Sequence, residues 1–115
     1  MISYPDFERF VLETEGDYAN PRNLASGSLA LKDIEEVRPR HLQWIPFTLV
    51  YTEHPLTSWG RRMHFLESQG FNPVERICIE QPTTDSIQMV IDQFTHKVTT
   101  KEFPFPVDGL VITYD

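Results

Sequence analysis

The sequence predicts an α+β fold, a mainly antiparallel sheet with packed helices. Three observations lead there. Apolar residues recur at helical spacing, most clearly at Ile87, Val90, Ile91 and Phe94. A long stretch over residues 41–52 alternates its side chains in the manner of a strand. Helix-like and strand-like stretches also follow one another along the chain, an order that suits helices laid on a sheet.

The first predicted helix covers residues 5–12, with Phe7, Phe10 and Val11 on one stripe, Pro5 and Asp6 at its front and Gly16-Asp17 behind it. The second runs over residues 21–31. Asn20 is placed to cap it, Pro21 occupies the first helical position without losing a hydrogen bond, and Leu24 and Leu31 share a face. Residues 33–39, acidic and proline-containing, read as a connection. Residues 41–52 give the strongest strand signal. Leu42, Trp44, Thr48 and Val50 lie on one face and Ile45, Phe47, Leu49 and Tyr51 on the other, so both faces are expected to be at least partly covered. Pro46 cannot donate to a ladder and predicts an edge, a bulge or a backbone facing a ligand. Thr57 or Ser58 then caps a helix carrying Trp59, Met63 and Leu66, which Gly70 ends. A short strand follows over residues 74–80. Thr84 or Asp85 begins the last helix, whose pattern decays near Lys97, and residues 110–114 form the final strand.

The 115 residues allow one domain at most, with one core expected. Hydrophobic residues make up 40% and charged residues 23%, ordinary values that suggest neither disorder nor a membrane span. A net charge of -7 argues against autonomous nucleic-acid binding, which needs clustered Lys and Arg. Cys78 is the single cysteine, so a disulfide framework and a cysteine-rich zinc site are both excluded, and a cytoplasmic protein is expected. The four histidines lack metal-ligand spacing, so no metal site is expected. The final strand runs out one residue before the last residue, which suggests a cut piece of a longer domain.

The segment that organises the chain is Asn20-Pro21-Arg22-Asn23-Leu24-Ala25-Ser26-Gly27-Ser28-Leu29. Arg22 falls in the first turn of a helix, at the positive end of its dipole, where a cation is disfavoured. An anion would relieve that conflict. It can be a ligand phosphate or carboxylate brought close over the small residues 25–28, or a neighbouring Asp or Glu of the chain itself.

This segment resembles the N-P-R-N-x-A-x-G-S-L motif in the adenylation domain of bacterial NAD-dependent DNA ligases. A second stretch, Phe103-Pro104-Phe105-Pro106-Val107-Asp108-Gly109-Leu110-Val111-Ile112, resembles the L-P-x-x-I-D-G-V-V strand of the same family. The resemblance covers essentially residues 1–115 and identifies the chain as an internal part of the adenylation (nucleotidyltransferase) domain, from after the third motif through the fourth.

Carried over position by position, the resemblance implies that Arg22 lies near the phosphates and ribose of NAD, that Phe47 stacks on adenine in place of the usual tyrosine, and that Val111 lines the adenine pocket. Asp108 and Gly109 are the D-G pair of the fourth motif, the glycine letting a nucleotide lie close. The parent enzyme is then a DNA ligase of replication and repair. A lysine in a K-x-D-G motif attacks the adenylyl phosphorus of NAD, the AMP passes to a DNA 5′-phosphate, and a 3′-hydroxyl displaces it to seal the nick, with Mg2+ assisting. No K-x-D-G occurs in these residues. The isolated fragment is therefore expected to be inactive, and nicked duplex DNA to be a partner of the parent rather than of the acidic fragment.

Ala30, Thr100 and Thr113 stand where the family usually has arginine, arginine and lysine. The alternative reading, a non-catalytic nucleotide- or protein-binding module derived from the ligase fold, draws on these departures.

Overall fold

The computed structural model describes residues 1–115. Its regular elements are all helical: α1 (Tyr4–Thr14), α2 (Pro21–Leu29), α3 (Ile34–Val37), a 3-10 turn (Arg38–Arg40), α4 (Trp59–Ser68) and α5 (Thr84–Thr99). The chain divides into two compact units. The first comprises Met1–Gln43 and Gln93–Gly109, the second Trp44–Asp92 and Leu110–Asp115, so that α5 contributes residues to both.

In the first unit each helix start is made by a short polar side chain. Ser3 caps α1, its Oγ accepting from the Asp6 amide at 3.2 Å, and Asn20 caps α2 by accepting from the Asn23 amide at 2.9 Å. The expected helix over residues 21–31 closes at Leu29, where the amides of Ala30 and Leu31 turn back to the carbonyls of Gly27 and Ser28, both at 3.2 Å. Ile2, Phe10 and Leu24 form the buried core, with Phe7, Tyr18, Ala25 and Leu42 packed around it. The rings of Phe10 and Tyr18 lie 5.5 Å apart.

The connection expected over residues 33–39 is instead α3 and its 3-10 turn. Asp33 caps α3 by accepting from the Glu35 amide at 2.9 Å, and the turn sets the Arg40 guanidinium 5.1 Å from the centre of the Phe10 ring.

In the second unit α4 follows the sequence closely. Ser58 is its cap. Its end is a Schellman turn, with Gly70 at φ +88° and the amides of Gly70 and Phe71 bonded to the carbonyls of Glu67 and Leu66 at 3.0 and 3.1 Å. Met63 and Leu66 are buried beneath it, as their shared stripe predicts. At the front of α5 the hydroxyls of Thr83 and Ser86 bond reciprocally to each other's amides, at 3.1 and 2.8 Å, in a capping box.

The predicted antiparallel sheet is not formed, and no residue is in a strand. Residues 41–52, 74–80 and 110–114, expected as strands, run outside regular secondary structure. Their sheet-like pairing amounts to isolated bonds: Met1 and Gln43 exchange both backbone bonds, at 2.6 and 2.7 Å, and the Val74 amide donates to the Pro46 carbonyl at 2.9 Å.

The physical reason is visible along residues 47–56. The carbonyl of Phe47 accepts from the indole Nε1 of Trp59 at 3.1 Å, and the carbonyls of Leu49 and Leu56 accept from Arg62 at 3.5 and 2.7 Å. Side chains of α4 thus occupy two acceptors within residues 41–52, the carbonyls of Phe47 and Leu49, that a neighbouring strand would use. Strand propensity describes a fit to a partnered surface, and without the ladder it is not realised. Cover over the two faces is only partial, as expected: Leu42, Ile45 and Leu49 are half-buried, whereas Trp44, Phe47 and Val50 are 80%, 70% and 91% exposed.

Candidate functional site

The organising segment sorts its residues onto two faces of α2. Pro21, Leu24 and Ser28 are buried. Pro21 also reaches a groove of about 340 Å³ that Arg22, Ala25, Ser26 and Leu29, at helical spacing on the other face, line together with Met1, Ile2, Pro106 and Asp108. This volume lies within the range of small-molecule sites. The walls are apolar or small, and Arg22 and Asp108 supply the charge.

Residues remote in sequence complete the groove because of two backbone links. The Tyr4 amide donates to the Pro104 carbonyl at 2.8 Å, and the Phe103 amide donates to the Lys97 carbonyl at 3.1 Å. Between them these bonds hold the segment carrying Pro106 and Asp108 beside α1. Lys101 supports the same segment, its ammonium 5.0 Å from the centre of the Tyr4 ring.

Arg22 and Asp108, both singled out from the sequence, meet as an ion pair of 3.7 Å, with side chains 78% and 94% exposed. The distance is beyond a hydrogen bond, so charge alone holds the pair. The carboxylate answers the conflict between Arg22 and the α2 dipole, whose first turn contains no acidic residue. Gly109 closes the same unit, and a Cβ added there would meet nothing within 4 Å.

Phe47 and Val111 belong to the second unit. The Phe47 ring is 70% exposed and Val111 is 92% exposed, so neither is the core residue that its apolar character alone suggests. The bond from Trp59 to its carbonyl fixes the backbone of Phe47 while leaving the ring free.

Met1, Ile2 and Pro106 were not legible as groove residues, having no local signal beyond being apolar. Ser28 illustrates the reverse case. It lies in the organising segment but is 1% exposed, its Oγ donating to the Leu24 carbonyl at 2.6 Å and accepting from Arg40 at 3.0 Å.

Near the end of α4, Arg76 donates to Glu67 at 2.8 Å and thereby holds that carboxyl below its usual range. At the start of α4 the Asp115 carboxylate accepts from the Gly60 amide at 2.9 Å and from the Ser58 hydroxyl at 2.8 Å. These bonds, the Gly60 amide foremost, hold the Asp115 carboxyl below its usual range.

The model of the NAD-dependent DNA ligase adenylation domain matches residues 2–115. The chain belongs to that family. It is 28% identical over 120 residues to a DNA ligase of Ruminiclostridium cellulolyticum, an alignment covering 100% of this chain and 18% of the relative. It is 32% identical over 121 residues to a DNA ligase of Hydrogenobaculum sp., covering 97% of the chain and 17% of the relative. A DNA ligase of Leptospira biflexa is 32% identical over 117 residues, with 100% of the chain and 17% of the relative covered. The chain thus spans under a fifth of the length of these relatives. No solved structure matches it.

Within this ligase adenylation sequence, the positions of Thr100 and Thr113 carry hydroxyls turned onto local backbone. Thr100 Oγ1 donates to the His96 carbonyl at 2.8 Å and Thr113 Oγ1 to the Tyr114 carbonyl at 3.4 Å. No helix is long and apolar enough to cross a membrane.

Proposed function

We propose that these residues serve an NAD-dependent DNA ligase that seals nicks in duplex DNA through an adenylyl-lysine, and that they supply part of its NAD pocket. Arg22 takes the phosphate and ribose portion, Asp108 and Gly109 the approach beside it, and Phe47 and Val111 the adenine. The observation that carries this reading is the groove lined by both Arg22 and Asp108, drawn from two motifs far apart in the chain.

The residues present suit the cofactor. A guanidinium exposed at a groove of this size can pair with a phosphate, and an exposed Phe ring offers a stacking face. The lysine nucleophile is not among these residues, so the chain alone binds without reacting. No group of three or more His, Cys, Asp or Glu side chains is arranged to hold a metal ion, and no residue here is assigned to Mg2+.

The test is an NMR titration of the labelled chain with AMP and with NAD. Saturable shifts at Arg22, Phe47 and Val111 are expected. Their absence in the folded chain removes the pocket assignment.

A second reading is a nucleotide- or protein-binding module without catalysis. Ala30, Thr100 and Thr113 favour it, because the cations usual at these places are replaced by side chains that cannot neutralise phosphate. A self-adenylation assay on the full-length parent with NAD separates the two: transfer of labelled AMP to the protein supports the ligase.

A further inference from the structure

Arg22 and Asp108 form an ion pair that is open to solvent at both ends and longer than a hydrogen bond. An exposed pair of this kind contributes little stability, so its role is not to hold the fold. Both residues also line the groove, and Arg22 is the cation there with the most reason to seek an anion, standing in a helix first turn without an acidic neighbour.

We propose that Asp108 is the internal competitor for Arg22, a carboxylate that occupies the guanidinium until a ligand phosphate displaces it. This rests on the reading of the groove as part of a nucleotide site. Asp108 then acts as a selectivity residue. A weakly charged or neutral ligand leaves the pair intact and gains nothing from Arg22. A phosphate monoester dianion, or the pyrophosphate of NAD with one charge on each phosphate, carries more charge than the carboxylate and accepts two parallel N–H bonds from the guanidinium, so it replaces Asp108. The displaced carboxylate stays in water, which its 94% exposure allows at little cost. The pair therefore screens for ligands with a phosphate and lowers the affinity for all anions by a modest factor.

The measurement compares AMP with adenosine in NMR titrations of the wild-type chain, Asp108→Asn, Arg22→Gln and a control, Glu102→Gln. Glu102 lies in the same unit, is 60% exposed and carries the same charge, so the control removes one negative charge without touching the groove. Removing Asp108 should tighten AMP binding about two- to fivefold, the range that an exposed ion pair can supply, and leave adenosine unchanged. Arg22→Gln should abolish the difference between AMP and adenosine, and the control should behave as wild type.

If Asp108→Asn binds AMP equally or more weakly, while wild type binds and the amide spectrum stays dispersed, Asp108 contacts the ligand and the proposal is wrong. An equal gain in the control would reduce the effect to net charge and also overturn it. Absence of AMP binding in wild type and in Asp108→Asn would overturn the nucleotide reading and this proposal with it.

Discussion

The Arg40 guanidinium donates to the Oγ of Ser28 at 3.0 Å, across twelve positions of sequence. Ser28 stands in the segment that identifies the family, yet this contact makes it part of the core. It joins the 3-10 turn to α2, and the same guanidinium lies against the Phe10 ring of α1. Truncating Ser28 to Ala should therefore remove this bond while Arg40 Nε keeps the Glu36 carbonyl at 3.1 Å, and cost about 0.5–1.5 kcal/mol. Urea unfolding of Ser28→Ala, Arg40→Met and the double variant measures this, and a coupling energy of about 0.5 kcal/mol or more is expected.

Met63 is 0% exposed under α4. Replacing it by Ala leaves a cavity and should destabilise the second unit by about 2–5 kcal/mol. Loss of amide protection from hydrogen exchange along α4 is the readout. Met63→Leu, close in volume, should cost less than about 1.5 kcal/mol.

The exposed Phe47 ring is the proposed adenine platform. Phe47→Tyr should keep AMP affinity, since the stacking face is unchanged. Phe47→Ala should weaken it about three- to tenfold, in line with aromatic pair energies of about 0.5–1.5 kcal/mol. Isothermal calorimetry distinguishes the two variants, and stability should be nearly unaffected because the ring is largely in water.

Asp115 gives a pH dependence of defined sign. Its carboxyl is held below the usual value of 3.8 by the Gly60 amide and the Ser58 hydroxyl. A lowered folded-state pKa means that the contribution to stability is fully present above the unfolded value and is lost as pH falls through the folded one. The Gly60 amide resonance should move with an acid midpoint below 3.8, and Asp115→Asn should remove that titration. Gly60→Ala should disturb the same contact, because a Cβ there would sit 3.0 Å from an Asp115 carboxylate oxygen.

The elements legible from sequence are those whose causes lie within a few residues. Asn20 and Ser58 capped helices where their side chains promised to, Gly70 ended α4 in a left-handed turn, and Met63 and Leu66 turned inward together. Helix bonds and caps reach three or four positions along the chain, so the local pattern contains them. The two motifs likewise carried the family without reference to a fold.

Pairing across the chain is a different matter. The alternation in residues 41–52 described a chain able to enter a sheet, but a strand exists only with a partner. Here Trp59 and Arg62 take the carbonyls of Phe47 and Leu49 instead. The sequence by itself determined the existence of α1, α2, α4 and α5, the caps at Asn20 and Ser58 and the family, but not α3 or the last turn of α2. Tertiary structure alone decided that Arg22 meets Asp108, that Ser28 meets Arg40, and that the extended segments stay unpaired, because each depends on which distant groups reach a given donor or acceptor first.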